Sequence, residues 1–298
     1  MTVARSIVLA SLAAASIWFV AQAIQTGTAR RELDQTLLLT TRAVEAEIDR
    51  LRALPGVAAE DARIRSALSG TGSLHEANRY LESIADHAGP DELFLIDASG
   101  ETIAASNWNR PGSFVGQNYA FRPYFQDALE TGTGQFYAIG VTTGVPGYFL
   151  STRVDAKDTV GVMVVKLDLR PLQETWRAAK ADVALADEYG VVFLSARPEW
   201  QYRPLVDLPP DVLTHLVTTR AYEQVGLGET APLLSAPAKG ADARGDGWMA
   251  RIGPVPATGG QVLAVRSLRG LQLVALEWAA LAALATLAIA AAVKSVDQ

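Results

Sequence analysis

Two long apolar runs, one near each end, limit what this chain can fold into more than any other feature. From Ser6 to Ile24 no charged residue interrupts a run rich in Ile, Val, Leu, Ala, Trp and Phe. At about 1.5 Å of helical rise per residue, that run approaches the roughly 30 Å of a bilayer core. Leu271 to Val293 carries a single charge, Glu277, beside Trp278 near its start, where a helix meets the headgroup region and an acid costs less than at the centre. Ala282, Ala283, Ala285, Ala288 and Ala290 leave room for close helix packing. Transmembrane helices are therefore expected over 1–25 and 270–294. The first run, with Arg5 before it and Ala21-Gln22-Ala23 near its end, also fits the outline of a cleavable signal peptide.

The roughly 245 residues between the runs lie on one side of the membrane and suffice for two modest domains. Arg30, Arg31, Arg266 and Arg269 flank this middle, while only Arg5 and Lys294 flank the other side. That count argues against export, by a rule that weakens for long translocated segments. The absence of cysteine removes disulfides and thiolate metal sites, and the net charge of -6 argues against nucleic acid as a partner. His75, His87 and His215 lack ligand spacing, so no metal is expected. Gly132-Thr133-Gly134 and Gly226-Leu227-Gly228 lack the strand-to-helix setting of a phosphate loop, and no nucleophile has a nearby base, so neither cofactor nor catalytic residue is expected.

In chain order, Leu33, Leu37, Thr41, Val44, Ile48 and Leu51 recur at helical spacing and predict one long helix over Arg30–Leu54, ended or kinked at Pro55-Gly56. The stripe suits either pairing of two copies or packing on the chain's own domain. Two helical pieces follow, through Ile64 and Leu68 and over Leu74–His87. Glu92–Asp97 and Ile103–Ser106 then read as a hairpin. The same design returns at Val183–Asp187 and Val191–Ser195, each copy placing Asp, two residues, Gly and a strand ending in Ser. Tandem modules of one kind follow from that repeat. Between the copies come a helix over Phe121–Glu130 and strands over Gln135–Thr143, Tyr148–Val154 and Val160–Leu169. A helix over Pro171–Ala181, another around Asp211–Thr219, and strands over Trp248–Ile252 and Val262–Ser267 complete the middle.

The stretch from Tyr119 to Asp168 concentrates the chemistry. Arg122 offers a planar fork for a carboxylate and Lys166 a compact charge, so facing one cavity they would suit a molecule with a carboxylate at each end. A lysine inside an apolar strand needs an acidic partner or a ligand. Tyr119, Tyr124, Thr142, Thr143 and Tyr148 supply hydroxyls, although Thr142 and Thr143 point oppositely unless their strand ends there. In the alternative reading Arg122 pairs with Asp127 or a surface acid, Lys166 pairs with Asp168, and the tyrosines are core.

Three motifs, Tyr119-x-x-Arg122-x-Tyr124-Phe125-x-x-Ala128, Gly140-x-Thr142-Thr143-Gly144-x-x-Gly147-Tyr148-Phe149 and Val164-Val165-Lys166-x-Asp168-Leu169, stand together with the run Ser195–Arg203. The combination resembles the extracytoplasmic sensor region of C4-dicarboxylate-sensing histidine kinases of the Dct type. That resemblance implies an α+β fold with a long N-terminal helix over 26–69 and two tandem PAS-like (double Cache) modules with antiparallel sheets. The membrane-distal, ligand-binding module would occupy 70–180 and the membrane-proximal one 181–269. It further implies a bacterial inner-membrane protein with its soluble region in the periplasm. Succinate, fumarate or malate would be held at Tyr119, Arg122, Thr142, Thr143, Tyr148 and Lys166. Expected partners are a second copy through the N-terminal helix and, if the full-length protein continues, a cytoplasmic kinase domain or response regulator. Val141 departs from the family, where a hydroxyl residue is common. No His helix or ATP-binding lid follows Val293, so the chain is expected to be a sensor fragment or a free-standing sensor subunit that is not itself an enzyme.

Two rivals stay open: an amino-acid-binding double Cache sensor and a ligand-free, membrane-anchored interaction protein. The first needs an acid soon after a strand tyrosine, and Tyr137-Ala138-Ile139-Gly140 supplies none. On the diacid reading, Arg122→Ala and Lys166→Ala weaken binding and leave unfolding of the ligand-free domain nearly unchanged.

Overall fold

The computed structural model describes residues 3–223, 225–234, 242–245 and 248–296. By internal contacts the chain divides into two compact units, one of residues 1–38, 238–252 and 263–298, the other of 39–237 and 253–262. The first helix, α1 (Val3–Arg52), runs unbroken through the first apolar run, so it starts well before the expected Arg30. Val44, Ile48 and Leu51 on its stripe are buried within the single chain, whereas Leu38 and Leu39 are exposed. Packing on its own domain therefore accounts for that part of the stripe. Pro55 starts a new short helix, α2 (Leu54–Ala59), because a ring without an N–H is tolerated only in the first turn. Next come α3 (Ala62–Leu68), which Asp61 caps, and α4 (Leu74–Ala88), capped by Ser73 and ended by a left-handed Gly89.

The first antiparallel sheet lies in the second unit and is ordered β2-β1-β5-β4-β3. It comprises β1 (Glu92–Asp97), β2 (Thr102–Ala105), β3 (Thr133–Ile139), β4 (Pro146–Ala156) and β5 (Thr159–Leu167), with α5 (Pro123–Thr131) preceding β3. Leu93, Phe94, Leu95 and Ile96 are almost wholly buried, so β1 has protein on both faces. The next element is α6 (Arg170–Ala178), followed by β6 (Val183–Ala186), β7 (Val192–Ser195) and α7 (Pro210–Thr218). Near the end stand β8 (Asp242–Gly245), β9 (Trp248–Val255), β10 (Gly260–Ser267) and α8 (Arg269–Val296). The second sheet is ordered β7-β6-β10-β9-β8. Strand β8 was not expected from sequence, since its four residues give too short a pattern to read.

The two hairpins repeat each other in detail. Each has its register shift at the same place, between Leu95 and Ile96 in one and between Leu185 and Ala186 in the other. Asp97 Oδ1 accepts from the backbone N–H groups of Ser99 and Glu101, and Asp187 Oδ1 from those of Tyr189 and Val191. Gly100 and Gly190 follow with φ of 88° and 82°. An aspartate that ties its own turn, then a left-handed glycine, explains the Asp-x-x-Gly spacing seen in the sequence.

In the first unit, Arg251 donates to Asp34 at 2.6 Å and to Asp242 at 2.7 Å, while Arg30 pairs with Asp242 and Arg266 with Glu32. No helix among the described residues is long and apolar enough to cross a membrane. The expected spans over 1–25 and 270–294 lie partly outside the residues whose side chains are described. Within the described part, Leu12, Phe19, Val20 and Ile24 on α1, and Leu273, Leu276, Trp278 and Leu284 on α8, are exposed.

Candidate ligand-binding site

Register decides which side chains of the first sheet can meet. Glu92, Lys166 and Phe149 stand opposite one another across β1, β5 and β4, so they share a face with Phe94, two residues along β1. Above that face a narrow cavity is lined by Phe94, Phe149 and Lys166 of the sheet. Arg122 and Tyr124 border it at the start of α5, Phe114 and Tyr119 in the loop before it, and Gly140, Val141 and Thr142 in the turn after β3. Its walls approach closely enough to leave room for about one water molecule. The Tyr119 hydroxyl and Thr142 Oγ1 close one side with a 2.7 Å hydrogen bond.

Five of the seven residues singled out from sequence, Tyr119, Arg122, Tyr124, Thr142 and Lys166, thus line one cavity. Tyr148 does not: it pairs with Leu167 and Tyr137, one residue from Phe149, and so lies on the opposite face. Thr143 is also absent from the lining; its Oγ1 accepts from the Val145 N–H within the turn. The expected strand over Gln135–Thr143 stops at Ile139, which removes the difficulty of two adjacent threonines pointing apart. Phe149, Phe94 and Phe114 were missed, since buried aromatics carry no signal that separates a cavity wall from core.

Lys166 has the acidic partner that a lysine inside an apolar strand needs, but from a residue the sequence did not point to. Lys166 is buried and its Nζ donates to Asp91 Oδ2 at 2.5 Å. The partner is not Asp168, which instead closes a bidentate pair with Arg170. The lysine stem lies across Gly147, where an added Cβ would come within 2.6 Å of it, so a side chain there would have to displace the lysine. Arg122 has no carboxylate partner among the described residues. Its Nη1 donates to the carbonyls of Thr219 at 3.0 Å and Arg220 at 3.1 Å, and its Nη2 to that of Ile139 at 2.9 Å. Burial pulls this guanidinium below its ordinary pKa. Three bonds leave two of an arginine's five N–H groups, Nε–H and one on Nη2, without a protein acceptor among the described residues. The Phe121 ring lies against both guanidinium groups, 5.2 Å from Arg122 and 5.0 Å from Arg220.

Hydroxyls around the cavity are held neutral. Burial raises the pKa of Tyr119, partly offset by Thr142 and Arg122, and raises that of Tyr124 further. The site can therefore offer hydrogen bonds and positive charge, with aromatic faces from Phe94, Phe114 and Phe149 around them.

No family model matches the chain. Over 207 residues it is 38% identical to the C4-dicarboxylate transport sensor protein DctB of Rhizobium meliloti, covering 68% of this chain and 32% of that protein. Over 209 residues it is 32% identical to the protein of the same name from Pseudomonas aeruginosa, covering 67% and 34%. The chain spans about a third of the length of these curated relatives. Among solved structures it is similar to the V. cholerae histidine kinase DctB sensor domain, with a TM-score of 0.73 and 27% identity over 82% of this chain and 98% of that one. The ligand-binding domain of the Pseudomonas fluorescens chemoreceptor CtaA shares the fold at a TM-score of 0.56 and 16% identity, over 81% and 95%.

Proposed function

We propose that this chain, a sensor region of the Dct type, detects a C4-dicarboxylate in the cavity between Arg122 and Lys166. The observation that carries the reading is the pairing of two buried cations, from separate elements, on one aromatic-lined cavity. One carboxylate would take the remaining N–H groups of Arg122, and the other the Lys166 ammonium with help from Tyr119 and Thr142. Asp91 holds Lys166 meanwhile, so the ligand carboxylate competes with it for a shared ammonium.

The ligand has to part the walls to enter, which links binding to movement. Arg122 ties the cavity to residues 219–220, and the Ile139 N–H donates to the Ala221 carbonyl at 2.9 Å. Next in the chain, Tyr222 donates its hydroxyl to Asp187 at 2.7 Å, at the turn of the second hairpin. A shift of Arg122 toward a carboxylate would pass along that path from the first module to the second. The modules are taken as 70–180 and 181–269, with 26–69, the end of α1 together with α2 and α3, before them, and the exposed apolar faces of the terminal helices as inner-membrane anchors. On this reading the soluble region is periplasmic, a second copy pairs through the N-terminal helix, and a kinase domain in the full-length protein receives the signal.

Calorimetric titration with succinate, fumarate and malate, beside acetate and a set of amino acids, tests the reading. Saturable binding confined to the diacids is expected. Heat from none of them would leave Arg122 and Lys166 as structural groups.

A further inference from the structure

Among the groups lining the cavity between Arg122 and Lys166 is one hydroxyl that the two carboxylates of a diacid do not need, that of Tyr124. We propose that Tyr124 is a specificity-determining residue whose hydroxyl pairs with a hydroxyl on the ligand, so that the site takes a 2-hydroxy diacid in preference to an unsubstituted one. The inference rests on the diacid reading.

The Tyr124 ring is held in place from several sides. It stacks on Phe149, with centroids 4.9 Å apart and planes 15° from parallel, and meets Phe94 edge to face at 6.4 Å. Its carbonyl accepts from Ser151 Oγ at 2.6 Å, which ties the start of α5 to β4. The hydroxyl at the tip of this buried side chain makes no hydrogen bond among the described residues. Nor is it wholly enclosed: the side-chain oxygens shut off from solvent without a partner, among the described residues, are those of Thr102, Tyr137 and Tyr148. Arg122 and Tyr119 lie near enough to Tyr124 to influence its ionisation, which places the hydroxyl beside groups suited to hold a carboxylate.

The supply of donors decides what that hydroxyl is for. Two N–H groups of Arg122, two of the Lys166 ammonium and the one free O–H of the Tyr119–Thr142 pair already offer a donor to every oxygen of two carboxylates. With succinate or fumarate bound, the Tyr124 O–H would be closed in with nothing left to bond, and a buried polar group without a partner is costly. A ligand hydroxyl both donates and accepts, as the phenol does, and a site that commits a buried group to such a hydroxyl discriminates against the analogue lacking it. The rest of the lining, Phe94, Phe114, Phe149, Gly140 and Val141, brings no polar side chain to compete for it. A 2-amino group would instead bring a cation up to Arg122, which like charge disfavours.

The test is calorimetric titration of the full chain with both enantiomers of malate, succinate and L-aspartate, in the parent and in Tyr124→Phe. One enantiomer of malate is expected to bind the parent about tenfold or more tightly than succinate does, because a fixed hydroxyl meets only one configuration. Aspartate should bind less tightly than either. In Tyr124→Phe the ratio between that malate and succinate should fall to about one. Malate binding no tighter than succinate, or aspartate binding as tightly as malate, overturns the inference and leaves the diacid reading standing. So does loss of both diacids by the same factor in Tyr124→Phe, which would assign the hydroxyl to a carboxylate. Should that variant fail to fold, the parent decides, since equal affinity for the two enantiomers is incompatible with one fixed partner. Heat from no diacid at all would remove the diacid reading and this inference together.

Discussion

The Arg122 guanidinium donates to the Thr219 carbonyl at 3.0 Å, across 97 positions of sequence. An arginine expected to wait for a carboxylate is therefore already a brace, satisfying backbone groups that would otherwise be buried without donors. No carboxylate among the described residues forms an ion pair with it, although Glu223 lies near enough to favour its charge, so it can serve both purposes at once.

That double role changes what a mutation should do. Arg122→Ala leaves the carbonyls of Ile139, Thr219 and Arg220 without this donor. At roughly 1–3 kcal/mol for each buried group left unsatisfied, thermal denaturation should show a melting temperature lower by several degrees. The sequence alone implied no such loss. A melting temperature equal to that of the parent would mean that the brace carries no weight.

Asp91 competes with a ligand for Lys166 if the diacid reading holds. Asp91→Asn keeps the shape and removes the charge, so succinate should bind about tenfold more tightly, a gain of roughly 1.4 kcal/mol. Calorimetry decides the sign. Weaker binding would show that Asp91 positions the lysine.

Much of this was legible beforehand, and the parts that were not share a physical cause. The repeated Asp-x-x-Gly turns, the Gly89 helix end and the Pro55 break each follow from a local backbone requirement, so a few residues suffice to read them. Arg122 and Lys166 were read as cavity groups from residue type, yet their protein partners depend on register and on contacts 75 and 97 positions away. Tyr148 falls outside the cavity because its pairing with Tyr137 and Leu167 puts it on the face opposite Phe149, and residue type carries no sign of which face a strand residue takes.

The two corresponding glycines should respond differently to one substitution. At Gly100 an added Cβ would come within 2.5 Å of the Ala120 Cβ, whereas at Gly190 its nearest neighbour is the Leu205 Cβ at 3.9 Å. Gly190→Ala should cost about 1 kcal/mol from left-handed strain alone, and Gly100→Ala clearly more. Denaturant unfolding of the two variants gives the comparison, and equal losses would contradict the packing difference.

Asp187 provides a pH signature. Burial pushes its carboxyl from 3.8 up to about 6, against the opposing effect of the Tyr222 hydroxyl and the backbone N–H groups of Val191 and Tyr189. Because the folded pKa lies above the unfolded one, this group's stabilising contribution is present below about pH 4 and is lost as pH rises through about 6. Asp187→Asn cannot ionise, so its melting temperature should gain on the parent between about pH 4 and 7. A difference constant with pH would remove Asp187 as the source.

The most direct test of the central claim is a crystal structure of the chain soaked with succinate. The expected result is one carboxylate on the free N–H groups of Arg122 and the other on Lys166, with the Asp91 contact lengthened. Succinate lying elsewhere, or an unchanged Lys166–Asp91 pair beside an empty cavity, would contradict it.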